Sequence, residues 1–385
     1  AMLGLGKVLG SPKPFCAKAL LSGAMAVRRH TAAVEKQGKA LLATLRPDDK
    51  VLVLITRNYG VSDPILNMGI PELLLKRGYK VITLSHLPGH ALDISDEYDN
   101  LYYPFGQHIL SGAKLIAHHP NLYAVYLTNH GCGPDTMLSH LFKQEMGDKP
   151  YLQIEVDEHF SNVGVITRIE AFLNSLNHRP VEVLPKDFVL EQVDIRPCHL
   201  PAVPEKDFPL WLPPLGEYTA SLTGYFRAQG VDAHALPHLS AHALSLGRAE
   251  TSAKEYLPFP ALLGGILAQQ EADLAPAQFL IPQTQGAEAD GQYARVIRAV
   301  LDRRGNQSAK LVSPMLETLP EMAQNCDALF RALLAGDILY AAPADNRADI
   351  SAQWDALPGW EQLHTAAREI GELLTKGRRI AAVGT

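Results

Sequence analysis

From about residue 50 onward the chain alternates short apolar segments with amphipathic ones, and this alternation limits the folds open to it. Val51 to Thr56 is a short, continuous, β-branched run, as expected of a strand that is buried on both faces. Further runs of this kind begin at Tyr79, Tyr123 and Tyr151. Segments with helical periodicity separate them. Such alternation predicts a parallel sheet with right-handed crossovers, and so an α/β fold with flanking helices.

The second half of the chain repeats the first. Residues 78–92 and 230–244 both contain the pattern His-Leu-x-x-His-Ala-Leu, at an offset of 152. A Tyr-x-Pro-Phe motif follows each copy, at 102–105 and at 256–259. Two short matches in the same order indicate an internal duplication. We therefore expect two related Rossmann-like or flavodoxin-like parallel-sheet domains.

Proline, charge and periodicity suggest where these domains begin and end. Residues 178–208 are rich in proline and charge, which is typical of a linker or an extended strap. Before them we expect a helical segment at 1–46 and the first α/β domain at 47–177. After them we expect the second α/β domain at 209–340. The last residues, 341–385, predict a C-terminal helix and the start of a further domain that the sequence cuts short.

Composition argues against several classes of protein. The net charge is −6, and the 35 Lys and Arg residues form no basic run, so we expect no nucleic-acid partner. No apolar stretch approaches the ~18 residues that span a membrane. The four cysteines include no CxxC pair, which argues against a zinc knuckle and a secreted disulfide scaffold. We therefore predict a cytoplasmic protein without a membrane partner.

Polar side chains are concentrated where the strands of the first predicted domain end. Ligands of open parallel sheets bind outside the carboxyl ends of the strands, because loops and helix N-termini meet there. The candidate ligand-binding residues are Arg57, Asn58, Tyr59, Asn129, Gly131, Gly133, Asp135, Asp157 and Arg168. Arg168 either clamps a phosphate or carboxylate or forms an ion pair with Asp157.

The loop at 131–135 carries the candidate nucleophile of the chain. Cys132 precedes a predicted helix, whose dipole favours the thiolate that binds metal or attacks carbon. His130 and His159 are the candidate bases for a catalytic Cys132. The alternative is that Cys132 is only a small residue in a tight turn. The acidic residues before His159 could ligate a metal, although such clusters more often cap helices or hold loops.

These motifs resemble the large 2-hydroxyacyl-CoA dehydratase activator-like proteins. Four segments carry the resemblance, namely RNY at 57–59 with Asp63 and Asn67, LTNHGCGPD at 127–135, EVDEH at 155–159 and GVITRIEAFL at 164–173. It is specific over residues 50–176 and weaker over 208–335. The family fuses an ATPase module, which is not visible in this sequence, to regions similar to the iron–sulfur subunits of dehydratases and benzoyl-CoA reductases.

The resemblance also implies where cluster cysteines would lie. Cys132 stands where the family's first cluster loop has its cysteine. The family pattern Lys-Glu-Cys-x-Pro appears here with Tyr256 in place of cysteine, and Gly-Pro-Cys-Arg-Phe-Gly-Gln-Tyr appears with Glu288 in that place. An iron–sulfur cluster needs several thiolates. We therefore expect no cofactor in this chain and retain Cys132 only as a weak metal candidate.

The main hypothesis is a cluster-deficient dehydratase-like or activase-like domain that binds a ligand or partner within a larger redox assembly. The implied partners are other domains of a longer protein or dehydratase-like subunits, with an acyl-CoA or a nucleotide as the small molecule. One alternative is an active iron–sulfur component of an ATP-dependent 2-hydroxyacyl-CoA dehydratase or reductase system, with a cluster shared across a dimer through Cys132. Another is a cofactor-free enzyme that uses Cys132. Whether the chain is an enzyme stays open.

Overall fold

The chain contains two separate four-stranded sheets, and every strand pair in both is parallel. The computed structural model describes residues 2–129, 131–157, 161–180, 183–185, 188–216, 218–286, 288–316 and 326–341. The prediction of an α/β fold with two parallel-sheet domains is confirmed. The helix and further domain expected at the C-terminus lie outside the described residues from position 342 onward.

The residues divide into two compact units that do not follow the chain order throughout. Unit 1 comprises Ala1–Tyr98, Tyr103–His130 and Phe142–Arg196. Unit 2 comprises Asp99–Tyr102, Gly131–Leu141 and Pro197–Thr385. Two short segments from the first half of the sequence thus belong to the second unit.

Unit 1 is built on a sheet whose strand order is β2-β1-β3-β4. The strands are β1 (Val51–Ile55), β2 (Lys80–Thr83), β3 (Leu122–Asn129) and β4 (Leu152–Val156). All residues of β1 are buried, as are the first seven of β3. This continuous burial explains why the central strands lack an alternation of polar and apolar residues.

The helices in this half of the chain are α1 (Met2–Val8), α2 (Lys13–Leu42), α3 (Asn58–Ser62), α4 (Ile70–Lys76), α5 (Pro104–His118), α6 (Gly133–Met146) and α7 (Asn162–Asn177). Residues 133–141 of α6 belong to unit 2. The core between sheet and helices includes Leu54, Val125, Ile154, Ile169 and Leu176. Residues 17–30 of α2 are all exposed. Among the described helices, none is long and apolar enough to cross a membrane.

Within the Pro-rich segment predicted as a linker or strap, residues 188–196 contact the rest of unit 1. The Phe188 ring stacks on His118, with 4.9 Å between ring centroids. Glu191 forms an ion pair with Lys39 of α2 at 2.9 Å. The strap is thus held by both apolar and ionic contacts.

Unit 2 has the same strand order as unit 1, namely β6-β5-β7-β8. Its strands are β5 (Leu210–Leu212), β6 (Ala233–Ala235), β7 (Ala277–Leu280) and β8 (Ala309–Val312). Its helices are α8 (Tyr218–Ala228), α9 (Ala241–Ala249), α10 (Pro258–Ala272), α11 (Tyr293–Arg303) and α12 (Cys326–Ala341). A Cβ placed on Gly247 would lie 1.8 Å from the Pro260 carbonyl oxygen. The absence of that atom therefore allows α9 and α10 to pack closely.

The repeated motifs occupy similar places in the two units. Gly78 and Gly230 follow α4 and α8 with φ of 84° and 79°, values that glycine adopts most readily. Each glycine leads into the second strand of its sheet. The proline of each Tyr-x-Pro-Phe motif opens a helix, at Pro104 and at Pro258. The common strand order and these shared positions support the interpretation of an internal repeat.

Candidate functional site

Three of the predicted ligand-binding residues lie together at the carboxyl ends of β1 and β3 in unit 1. Arg57 follows β1, and its Nη1 lies 3.4 Å from the Tyr59 hydroxyl. Asn129, the last residue of β3, donates from Nδ2 to the same hydroxyl at 3.3 Å. The Arg57 Cζ atom lies 4.5 Å from the centroid of the Phe105 ring, a cation–π distance. Tyr59 thus links the two strand ends.

This cluster is open to solvent. The Tyr59 side chain is 52% exposed, and Asn58 and Asn129 are also exposed, whereas Arg57 is half-buried. A ligand could therefore reach a guanidinium whose position is already fixed by an aromatic ring. A guanidinium can donate hydrogen bonds to a phosphate or a carboxylate. The arrangement can recognise an anion.

Two nearby polar residues, Asp63 and Asn67, form hydrogen bonds within their own loop. Asp63 accepts hydrogen bonds from the backbone N–H groups of Ile65 and Leu66, at 2.8 and 3.1 Å. Buried Asn67 donates to the Val61 carbonyl at 3.2 Å and accepts from the Gly69 N–H at 3.0 Å. These bonds fix the turn between α3 and α4 and so support the backbone behind Arg57.

Arg168 reaches the start of β4 rather than its end. It lies in the second turn of α7, and its Nη2 donates to the Gln153 carbonyl at 2.6 Å. Asp157 directly follows the last residue of β4 and is half-buried. Three of the candidate residues, His130, Glu158 and His159, lie outside the described residues.

The remaining predicted residues, Gly131, Cys132, Gly133 and Asp135, belong to unit 2. Gly131 has φ of 66°, and α6 begins at Gly133. Cys132 therefore lies directly before the helix, and it is half-buried. The Thr136 hydroxyl lies 3.0 Å from the Cys132 carbonyl oxygen, and Asp135 is 4% exposed. The first turn of α6 is thus closely packed.

Two other loops of unit 2 meet the start of α6. A Cβ placed on Gly133 would lie 3.2 Å from Cε2 of Tyr256 and 3.5 Å from Cβ of Ala289. Tyr256 and Glu288, the neighbour of Ala289, are the positions where the resemblance implies cysteines. The three loops therefore converge, and a tyrosine ring lies against the residue that follows Cys132.

The donors in these loops do not fit an iron–sulfur cubane. Within the described residues of the three loops Cys132 supplies one thiol, whereas the cluster needs several thiolates. Cys16 lies in unit 1, and Cys198 lies in the segment that leads to β5. Among the described residues, no group of three His, Cys, Asp or Glu is placed to hold a metal ion.

Sequence reasoning missed a buried His–Glu pair beside Tyr256. The His140 Nε2 atom hydrogen-bonds the carboxylate of Glu255, which is fully buried. The Ser252 hydroxyl donates to the same carboxylate at 2.7 Å. Burial raises the pKa of Glu255, but hydrogen bonds from His140 and Ser252 outweigh burial and lower the pKa to about 2. The Ser-x-x-Glu spacing is a helix-capping signal that could have identified half of this network.

A comparison with known families supports part of the resemblance. Residues 1–87 match a family model described as a CoA enzyme activase uncharacterised domain. The match includes β1 and the Arg57-Asn58-Tyr59 segment and supports a relation to CoA enzyme activases. No curated protein matches the chain. No solved structure matches it either.

Proposed function

We propose that this chain is a cluster-deficient module, related to CoA enzyme activases, that binds an anionic ligand and works within a larger redox assembly. The observation that carries the proposal is the tyrosine ring of Tyr256 against Gly133, directly beside Cys132. A tyrosine at this point supplies no thiolate to a cluster. The module would then serve other domains or dehydratase-like subunits by binding rather than by electron transfer.

The ligand-binding part of the proposal rests on the cluster formed by Arg57, Tyr59 and Asn129. Its guanidinium and amide groups suit the phosphates of a coenzyme A ester or a nucleotide. The Phe105 ring holds the guanidinium on one face, so little side-chain freedom is lost when an anion binds. This preorganisation supports binding of an acyl-CoA or nucleotide.

Anaerobic reconstitution with iron and sulfide tests the absence of a cluster. We expect the wild-type chain to retain little iron after desalting, because one thiolate cannot hold a cubane. We expect a Tyr256→Cys/Glu288→Cys variant to retain more iron, because it restores thiolates to the converging loops. Iron content and visible absorbance are the measurements.

A Cys132→Ser variant of the wild-type chain is the matched control, and we expect it to retain the same low iron. Wild-type protein with about four irons per chain, reduced in Cys132→Ser, would contradict the proposal. That result would instead favour the active iron–sulfur component. Fast labelling of Cys132 together with turnover that Cys132→Ser abolishes would favour the cofactor-free enzyme.

Substitution of Arg57 tests the ligand site. We expect Arg57→Met to weaken binding of coenzyme A or ATP about tenfold or more, because hydrogen bonds to a charged group contribute about 1.5–3 kcal/mol. Isothermal titration of the full chain with each compound measures this effect. Arg168→Met removes the same charge near the start of β4 and should leave affinity unchanged. Equal affinities in wild-type and Arg57→Met protein would reject this site.

A further inference from the structure

Unit 2 contains an open apolar cavity of about 640 Å³, within the size range of small-molecule sites. It lies between α8, α12 and the segments that follow β7 and β8. The apolar part of its lining includes Val203, Leu222, Phe226, Leu280, Leu329 and Leu333. The polar part includes Lys206, Gln229 and Asp337. A small number of polar groups at an apolar cavity is the usual composition of a ligand site.

One wall is the segment 201–208, which contains bends and a turn and is held by hydrogen bonds near both ends. The Ser313 N–H donates to the Pro201 carbonyl at 2.7 Å. The buried Gln278 side chain accepts from the Glu205 N–H and donates to the Glu205 carbonyl, both at 2.8 Å, and donates to the Phe208 carbonyl at 3.0 Å. The wall therefore has a defined position before any ligand arrives.

One lysine of this segment borders the cavity. Glu205 points to Lys310 and forms an ion pair with it at 2.9 Å. Lys206 follows in a turn and lines the cavity. Its Nζ lies 3.5 Å from where a Cβ of Gly230 would be, just beyond the end of α8. A helix C-terminus favours a cation there.

The second charged group of the lining already has a partner. The Tyr218 hydroxyl donates to the Asp337 carboxylate at 2.5 Å. Within the described part of the chain, Lys206 forms no ion pair. The cavity therefore offers an apolar interior and one available positive charge at its edge.

We propose that this cavity binds an apolar carboxylate, with its hydrocarbon body in the cavity and its carboxylate at Lys206. Burial of the hydrocarbon supplies the affinity. The lysine supplies selectivity, because a carboxylate keeps an ionic partner at the edge while its chain is buried. The site is distinct from the Arg57 cluster of unit 1.

Titration of the full chain with decanoate, decanol and decylamine tests the proposal by calorimetry. We expect decanoate to bind about fivefold more tightly than decanol, because one partly exposed ion pair raises the affinity by about this factor. Decylamine, which carries a positive charge, should bind most weakly. Lys206→Met should lower the affinity for decanoate to that for decanol and leave the affinity for decanol unchanged. Lys76→Met, which removes an exposed lysine of α4 in unit 1, should change neither affinity.

A second variant tests the cavity itself. Val203 is 47% exposed, so Val203→Trp can extend into the cavity without crowding the core, and we expect it to abolish binding of both decanoate and decanol. Equal affinity of the wild-type chain for decanoate and decanol would overturn the role of Lys206. Unchanged binding to Val203→Trp, with a wild-type circular dichroism spectrum, would overturn the site.

Discussion

Replacement of Lys114 by methionine is expected to lower the free energy of unfolding by about 3–5 kcal/mol, the usual cost of removing one partner from a buried ionic group. The Lys114 ammonium lies 2.8 Å from a Glu97 oxygen and 2.7 Å from a Glu145 oxygen. The three side chains are only 5%, 3% and 10% exposed. Without the lysine, two carboxylates would face each other with little solvent. Urea denaturation followed by circular dichroism measures the change.

The same network fixes the strap, so the variant should also release that segment. Lys114 donates to the Asp194 carbonyl at 3.3 Å, and the Arg196 N–H donates to Glu97 at 3.1 Å. Loss of the ammonium removes the first contact and weakens the position of Glu97. We therefore expect limited proteolysis to cut Lys114→Met within residues 188–196 sooner than it cuts the wild type.

Two comparisons separate the charge effect from a packing effect. Lys114→Met combined with Glu97→Gln and Glu145→Gln should recover most of the lost stability, because no uncompensated charge is then buried. Lys39→Met breaks the exposed pair with Glu191 and should cost less than about 1 kcal/mol. If Lys114→Met and Lys39→Met lower the free energy of unfolding equally, burial of the Lys114 network does not determine how much it contributes to stability.

Local sequence predicted the parts of the fold that local chemistry determines. Val51–Ile55 could be recognised as a strand because both of its faces are buried, which leaves a continuous apolar run. Gly78 and Gly230 could be paired because the same turn recurs before the second strand of each sheet. The proximity of Arg57 and Asn129 followed from one rule, that parallel strands end at a common edge.

Contacts between distant segments could not be predicted in this way. His140 and Glu255 are separated by 115 positions, and nothing in either neighbourhood specifies the other. Arg168 illustrates a second limit, since its position on α7 was clear but the direction of a long side chain was not. The strap could not be placed for a similar reason. Its proline and charge content does not distinguish a free linker from a segment that Lys114 holds.

Acidification from pH 6.5 to 4 is expected to remove about 3 kcal/mol of stability for each of two buried histidines of unit 1. Burial, and then the nearby His90, lower the pKa of His108 from 6.5 to about 4. Burial, followed by Lys149, lowers the pKa of His119 to about 4. Below pH 6.5 these two histidines are protonated in the unfolded chain but stay neutral in the folded chain. Stability is therefore complete above pH 6.5 and falls as the pH decreases toward 4.

The variant His108→Phe removes the contribution of one of the two buried histidines to the pH dependence of stability. The His108 ring stacks on His90 with 3.7 Å between centroids, and its buried Nε2 has no hydrogen-bond partner among the described residues, so a phenyl ring can replace it without loss of a bond. In urea titrations at several pH values, the variant should lose about 3 kcal/mol less than wild type across this range. His30→Gln, at an exposed position of α2, should follow the wild-type curve. A histidine destabilises the folded chain in acid only if folding keeps its ring neutral. Identical curves for wild type and His108→Phe would therefore mean that His108 takes up its proton in the folded chain as readily as in the unfolded one.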